Sequence, residues 1–296
     1  MKVLVSGGTG LVGRYIVEDL LASGYSVVIG ARHPPAEGLF SRSVEFRPLS
    51  LDPQEDQAHA FDDAYFFIHA AFDHLPGKYR GGEGGDPDRF RRLNLDGSIR
   101  LFETARQAGV RRVVFLSSRA VYDGLAAETA LAEEQFLQPS SLYGEVKLLA
   151  ERVLADLAAP GFVTSSLRVT GVYGEARPNK WDALFADYLA GREVPERAGS
   201  EVHGRDVGQA VRLMLSTEAA KVSGQFFNVS DVVVDSRDIL DIFQSVTQCP
   251  RLLPAPAPAD KVAVRTMPVE KITALGWKPG GWPLFENTVH LLAGSY

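Results

Sequence analysis

The stretch Val5 to Arg14, VSGGTGLVGR, places Gly7, Gly8, Gly10 and Gly13 directly after the first apolar run of the chain. Its position constrains the fold. Met1 to Ser6 reads as a strand, and Leu11 to Ser23 reads as a helix with Leu11, Ile16, Leu20 and Leu21 toward one side. The glycines therefore occupy a strand-to-helix turn. Further β-branched runs follow at Ser26 to Gly30, Val44 to Pro48, Ala64 to Ala70, Arg112 to Ser117 and Phe162 to Val169. Helical periods fill Phe90 to Ala108 and Leu142 to Leu157, and Gly109 suits a C-cap after the first of these. Such alternation predicts an α/β fold, a mostly parallel doubly wound sheet covered on both faces.

Composition excludes several classes of function. With 45% apolar and 23% charged residues in 296, the chain can bury a sizeable core. A net charge of -6 without a dense basic run argues against nucleic acid as a partner. No apolar run approaches the roughly 18 to 20 residues of a membrane span. The single cysteine, Cys249, rules out an internal disulfide framework, and the chain opens on a strand pattern; the expected compartment is the cytoplasm.

After Tyr173 the rhythm weakens, although Phe226 to Val229 reads as one more strand returning to the sheet. The expected division is residues 1–174 and 201–230 for the sheet domain, with 175–200 and 231–296 forming a small discontinuous lobe. Arg80 to Arg89, RGGEGGDPDR, is expected to be a mobile loop, and Pro250 to Pro258 is rich in Pro and Ala.

In a strand-to-helix turn, glycines let backbone N–H groups and the positive end of the helix face a pyrophosphate that side chains would hold off. Gly7, Gly10 and Gly13 have a G-x-x-G-x-x-G spacing, which an ordinary structural turn also satisfies. Tyr143 and Lys147 in SLYGEVK stand one helical turn apart. A tyrosine titrates near 10, so its use as a base requires a cation such as Lys147 beside it. A surface aromatic stacked on a lysine stem is the plainer alternative. Ser118 and its neighbour Ser117 close a strand at the sheet end where ligands collect, and Ser118 is the candidate to orient a substrate oxygen.

Taken in order, SGGTGLVGR, FFIHAA, NLDGSIRLFETARQAGVRRVVFLSS, LYGEVKLLAE, SLRVTGVYGE, FFNVSD and LGWKP resemble the extended short-chain dehydrogenase/reductases, the NAD-dependent epimerase/dehydratase family. The resemblance implies a Rossmann-type domain that binds NAD or NADP, with Ser118, Tyr143 and Lys147 as catalytic triad. It also implies cofactor contacts from Gly7, Gly10, Leu11, Val12, Gly13, Arg32, Asp52, Ala70, Ala71, Asn94, Ser117, Tyr143 and Lys147. Substrate contacts are expected from Ser118, Arg119, Arg168 and Arg197, and no metal is expected. Asn94 serves equally well as an N-cap or helix-packing residue.

Departures from the family refine the expectation. Gly30, Ala31 and Arg32 stand where an acid usually accepts from the ribose 2'-hydroxyl; Arg32 either pairs with a 2'-phosphate, favouring NADP, or is simply exposed. Leu49 replaces the usual acidic contact near the adenine, leaving Asp52. Arg119 and Ala120 follow Ser118 where dehydratases carry an acid pair, which turns the reading away from elimination. Gly199 stands where nucleotide-sugar members carry a diphosphate-binding arginine, with Arg197 and Arg205 nearby, and the segment between Gly174 and His203 is short; both favour a smaller sugar-type substrate. His203 reads as a structural turn residue.

The function so implied is hydride transfer to or from a sugar or nucleotide-sugar carbon, as net redox or epimerisation, with Tyr143 as acid/base. A cofactor sensor that catalyses nothing is the alternative, against which the joint presence of Ser118, Tyr143 and Lys147 argues. A homodimer through the helices bearing Asn94 and Tyr143 is expected from the resemblance, with Leu101, Phe102, Leu148, Leu149 and Leu154 as candidate contacts unless they pack in the core.

Overall fold

The computed structural model describes residues 1–75, 81–257 and 263–296. Its strands are β1 (Lys2–Ser6), β2 (Ser26–Ala31), β3 (Glu45–Pro48), β4 (Phe66–His69), β5 (Arg112–Ser118), β6 (Val163–Val169), β7 (Gly171–Tyr173), β8 (Ala198–His203), β9 (Gln225–Val229) and β10 (Val232–Asp235). Seven of them form a sheet in the order β3-β2-β1-β4-β5-β6-β9, every pair parallel. The order reverses beside β1, so a crevice opens over its C-terminal end, at the glycine turn.

The helices are α1 (Leu11–Ala22), α2 (Pro87–Arg91), α3 (Gly97–Gln107), α4 (Leu142–Asp156), α5 (Asp182–Ala190), α6 (Gly204–Ser216), α7 (Ala219–Val222), α8 (Ser236–Thr247), α9 (Glu270–Thr273) and α10 (Gly281–Ala293). Strand alternation decides which face each covers. Val3 and Val5 point to one face, where Ile16 and Leu20 of α1 meet Val207, Val211 and Met214 of α6. Leu4 points to the other, against Phe102 and Ala105 of α3 and Leu154 of α4. Each such side chain, fully buried, contributes about 1.5–3 kcal/mol. The expected doubly wound sheet is therefore present.

The single helix expected over Phe90 to Ala108 is instead three pieces, since a π-turn at Arg92–Asp96 separates α2 from α3. A Cβ on Gly97 would lie 2.1 Å from the Leu51 carbonyl oxygen, so the glycine lets α3 press against the loop after β3. Of the expected loop, Arg80 lies outside the described residues. Its far end begins α2, where the Asp86 carboxylate accepts from the Arg89 N–H and Pro87 stands at the first position. Pro258, the end of the Pro/Ala-rich stretch, also lies outside the described residues.

β7, β8 and β10 make a second, three-stranded sheet. Beside it Tyr173, Trp181, Phe185, Phe243 and Phe285 pack with α5, α8 and α10, the Phe185 and Phe243 rings stacked 4.3 Å apart. Four of the expected dimer contacts are used inside the chain: Leu101, Phe102, Leu148 and Leu154 are at most 5% exposed. Only Leu149 stays half-buried at the surface of α4. Those four are corrected to core residues. Among the described residues no helix is long and apolar enough to cross a membrane.

Candidate active site

Three glycines of the opening turn have separate jobs. Gly7 has φ +71°, and a Cβ there would lie 2.6 Å from the Ala71 nitrogen, so it closes the turn against the end of β4. A Cβ on Gly13 would lie 2.1 Å from the Gly7 carbonyl oxygen, so α1 can start this close only with glycine. Gly10 caps α1 without a side-chain hydrogen bond. A Cβ there would meet only the Gly7 oxygen, at 3.2 Å. The helix start is thus left open to the cleft, and this cradle fits a pyrophosphate.

Beneath it runs a line of buried hydrogen bonds. Ser98 Oγ donates to the Asn94 carbonyl at 2.5 Å, so it accepts from His69 Nε2 at 2.9 Å. His69 Nδ1 is then the acceptor for the Ser6 hydroxyl, 2.6 Å away. Burial, aided by the charge of Lys147, pushes the ring down to about 3, so it is neutral. Asn94 extends the line: its Oδ1 accepts from the Asp73 N–H at 2.7 Å, and its Nδ2 donates to the carbonyls of Asp73 at 2.8 Å and Phe90 at 3.0 Å. The loop after β4 is held in place this way.

Helix α4 brings the candidate chemistry to the tip of β5. A Cβ on Gly144 would lie 2.3 Å from the Ala120 carbonyl oxygen, so the helix lies directly on the turn that follows Ser118. The Ser118 hydroxyl accepts from the Ala120 N–H at 3.1 Å, which leaves its own proton to donate. Tyr143 meets the edge of Phe72, ring centres 5.1 Å apart. Lys147, 4% exposed, donates to the Leu116 carbonyl at 2.7 Å and lies 4.5 Å from the Phe72 ring centre and 4.6 Å from that of Phe115. No described carboxylate pairs with it. Burial pushes its ammonium down to about 7, against a smaller upward pull from Glu151 one turn on.

One cleft of about 1200 Å³ crosses the C-terminal ends of the strands. Gly7, Gly10, Leu11, Val12, Gly13, Arg32, Asp52, Ala70, Ala71, Ser117, Ser118, Arg119, Tyr143, Lys147 and Arg197 all line it. Arg32 is exposed and unpaired among the described residues, whereas Asp52 is held by Arg92 at 3.0 Å. Arg119 Nη2 donates to the Arg265 carbonyl at 3.1 Å. Asn94 does not line the cleft; it braces the loop that does. Arg168 is corrected from a substrate contact to a structural residue. It is 2% exposed, bonds Glu151 through Nε and Nη2, and donates from Nη1 to Tyr122 Oη at 2.9 Å and the Glu133 carbonyl at 3.1 Å. Sitting on a strand covered on both faces, its charge had to find a partner indoors.

His203 caps α6, Nδ1 accepting from the Arg205 N–H at 3.0 Å. Among the described residues no group of three or more His, Cys, Asp or Glu is placed to hold a metal ion. A second hollow of about 990 Å³ lies in the small lobe between the end of α5 and residues 249–254, remote from Tyr143. Three cleft features were missed by sequence reasoning: Phe72, the brace through His69, and an ion pair between Lys180 and Glu201. His69 was visible only as a residue of an apolar strand, Phe72 lies past the end of that strand, and the pair joins segments 21 residues apart.

Residues 3–230 match the model of the NAD dependent epimerase/dehydratase family. The chain is 30% identical over 181 residues to sterol-4-alpha-carboxylate 3-dehydrogenase, decarboxylating, of Mus musculus, covering 60% of this chain and 47% of that protein. It is 34% identical over 174 residues to UDP-glucose 4-epimerase of Mus musculus, covering 53% and 48%. The chain thus spans about half the length of these curated relatives. The structure of UDP-glucose 4-epimerase from Thermus thermophilus, a complex with NAD, superposes with a TM-score of 0.78 at 26% identity, over 99% of this chain and 98% of that one. A parallel sheet with this strand order, a side-chain-free helix start over β1 and a family match across most of the sequence lead to one conclusion: the chain belongs to the NAD-dependent epimerase/dehydratase family.

Proposed function

We propose that this protein is an NAD(P)-dependent oxidoreductase or epimerase acting on a carbon of a sugar or sugar derivative. One observation carries the reading: Tyr143, Lys147 and Ser118 line the same cleft as the open glycine turn. The dinucleotide would lie with its pyrophosphate over Gly10, Leu11 and Val12 and its adenosine end toward Arg32 and Asp52. When bound, the nicotinamide supplies the hydride acceptor or donor.

The chain's own groups manage the proton. Ser118 donates its free hydroxyl proton to the substrate oxygen and fixes that oxygen near the phenol of Tyr143. Tyr143 takes the proton when a hydroxyl is oxidised and returns it when a carbonyl is reduced. Lys147 makes the phenolate accessible, because a positive charge beside the phenol favours its ionised form. With its ammonium near 7, Lys147 is about half charged at neutral pH, and a phenolate alongside holds the proton on it. Phe72 keeps water from the ammonium.

Relatives at similar identity include enzymes named for a sterol carboxylate and for UDP-glucose. The polar lining here, with Lys180, Arg197 and Glu201, supports the sugar-like class over a sterol. Arg32, exposed and without a described partner, supports NADP over NAD.

The test is the variant Tyr143→Phe. Turnover should fall by about 10²–10⁴-fold while cofactor affinity, measured by fluorescence titration, stays within a factor of two. Unchanged turnover removes Tyr143 from the mechanism, and firm cofactor binding with no turnover of any sugar turns the reading toward a sensor. Arg32→Ala should weaken NADP binding about tenfold and leave NAD unchanged, roughly 1.4 kcal/mol.

A further inference from the structure

One part of the cleft wall is built by β8 and the residue before it. Arg197 continues the strand, since its carbonyl accepts from the Ser236 N–H at 2.9 Å in register with the Asp235↔Ala198 pair. Side chains alternate along it. Ser200 and Val202 point inward: Ser200 is 7% exposed with its hydroxyl 2.5 Å from Thr170 Oγ1, and Val202 is 0% exposed in the core. Arg197, Gly199 and Glu201 therefore share the opposite side, and all three line the cleft together with Ala198 and Ser200.

Each offers something different. Arg197 is exposed, and its guanidinium makes no hydrogen bond or ion pair with any described residue. A Cβ on Gly199 would meet nothing within 4 Å, so the position is a notch, at the point where the family resemblance expects a diphosphate-binding arginine. Glu201 has a side chain 12% exposed, and Oε2 is held at 2.5 Å by Lys180. Its carboxylate is packed so tightly on the chain that a Cβ on Gly171 would lie 2.6 Å from Oε2. Oε1 accepts no hydrogen bond within the described residues. Oε1 stays open to the cleft, so a hydroxyl of a bound ligand can take the place of water there.

We propose that Arg197, Gly199 and Glu201 form a subsite for a small hydroxy acid of the sugar-acid type. Arg197 pairs with the carboxylate, the carbon chain lies in the Gly199 notch, and Glu201, steadied by Lys180, accepts from one or two hydroxyls. Four residues at about 3.3 Å each separate Arg197 from Glu201 by roughly 13 Å between Cα atoms. Two side chains reaching inward leave room for a chain of a few carbons. A nucleoside diphosphate sugar finds no second cation at residue 199, and the Lys180 charge is already taken up by Glu201. The inference rests on the proposed oxidoreductase function and names the substrate class of that same cleft.

The test is calorimetric titration of the protein loaded with NADP⁺, using D-gluconate, D-glucitol as a neutral chain of equal length, and UDP-glucose. Gluconate should bind at least tenfold more tightly than glucitol, and UDP-glucose more weakly than gluconate. Arg197→Ala should erase the preference for the acid; Glu201→Gln should weaken both small ligands about tenfold. Gly199→Leu, which fills open space and leaves the glycine turn untouched, should abolish binding of both with NADP⁺ affinity unchanged. Equal binding of gluconate and glucitol, no binding of either, tighter binding of UDP-glucose, or an unaffected Gly199→Leu variant would each overturn the subsite. Gluconate bound as expected but never oxidised overturns the oxidoreductase reading and leaves the subsite standing.

Discussion

Two buried cations, Lys147 on α4 and Arg168 on β6, are treated in opposite ways. Lys147 is given one carbonyl and two aromatic faces and no carboxylate, so burial drives its ammonium down to about 7. Arg168 is given a carboxylate, a phenol and a carbonyl. Burial alone would loosen its proton, but Glu151 outweighs that and holds it more firmly than on an exposed guanidinium. Glu151 sits between the two, committing its oxygens to Arg168 and leaving Lys147 only a distant field. One cation is satisfied and serves the fold; the other is left poised beside a cleft. Burial of a charge says nothing about purpose until its partners are counted.

The largest effect expected on this contrast comes from Arg168→Ala. It strands Glu151, 0% exposed, and should cost about 3–5 kcal/mol in urea unfolding, and a double variant Arg168→Met with Glu151→Leu should recover much of the loss. Tyr122→Phe is milder. It removes the oxygen that accepts from Arg168 and donates to Asn228 Oδ1 at 2.7 Å, so about 1–3 kcal/mol should be lost while cofactor affinity is unchanged.

Lys147→Met has the opposite sign, and its effect fades as pH rises. A folded-state value near 7 against an ordinary 10.5 means the unfolded chain binds the extra proton between those limits. The parent therefore gains stability as pH rises from about 7 to 10.5. The methionine variant should be the more stable at pH 6, its advantage shrinking above 7 and gone by 10.5, with turnover lost throughout. Urea midpoints at pH 6 and 9 measure this. If Lys147→Met destabilised the fold as Arg168→Ala does, the contrast would be broken.

Much of the sheet domain was legible because its signals are local. Buried parallel strands announce themselves as β-branched runs such as VVIG and RVVFLSS, and a helix following glycine needs only its own period. The π-turn at Arg92–Asp96 was invisible, since it answers a contact with Leu51 some forty residues earlier. The small lobe was illegible for the same reason. Its core joins Tyr173, Trp181 and Phe185 to Phe243 and Phe285, which lie far along the chain. Arg168 was misassigned because SLRV was matched as a motif end; a charge centred in a strand closed on both faces should have raised the question of an indoor partner. The Glu201 position was missed because alternation from Arg197 to Glu201 is interrupted by a glycine.

The hydrogen-bond line from Ser6 through His69 to Ser98 has a direction, and that limits what can vary along it. Reversing either link to the ring would leave two acceptors facing each other, since a neutral imidazole carries one proton and the Asn94 carbonyl has none. Threonine at position 6 keeps the polarity; alanine would strand a ring nitrogen with no water to turn to. The imidazole, locked in one tautomer, stays neutral until the medium falls to about pH 3. It is a spacer with handedness, and pH sensitivity near the phenol is delegated to a single ammonium.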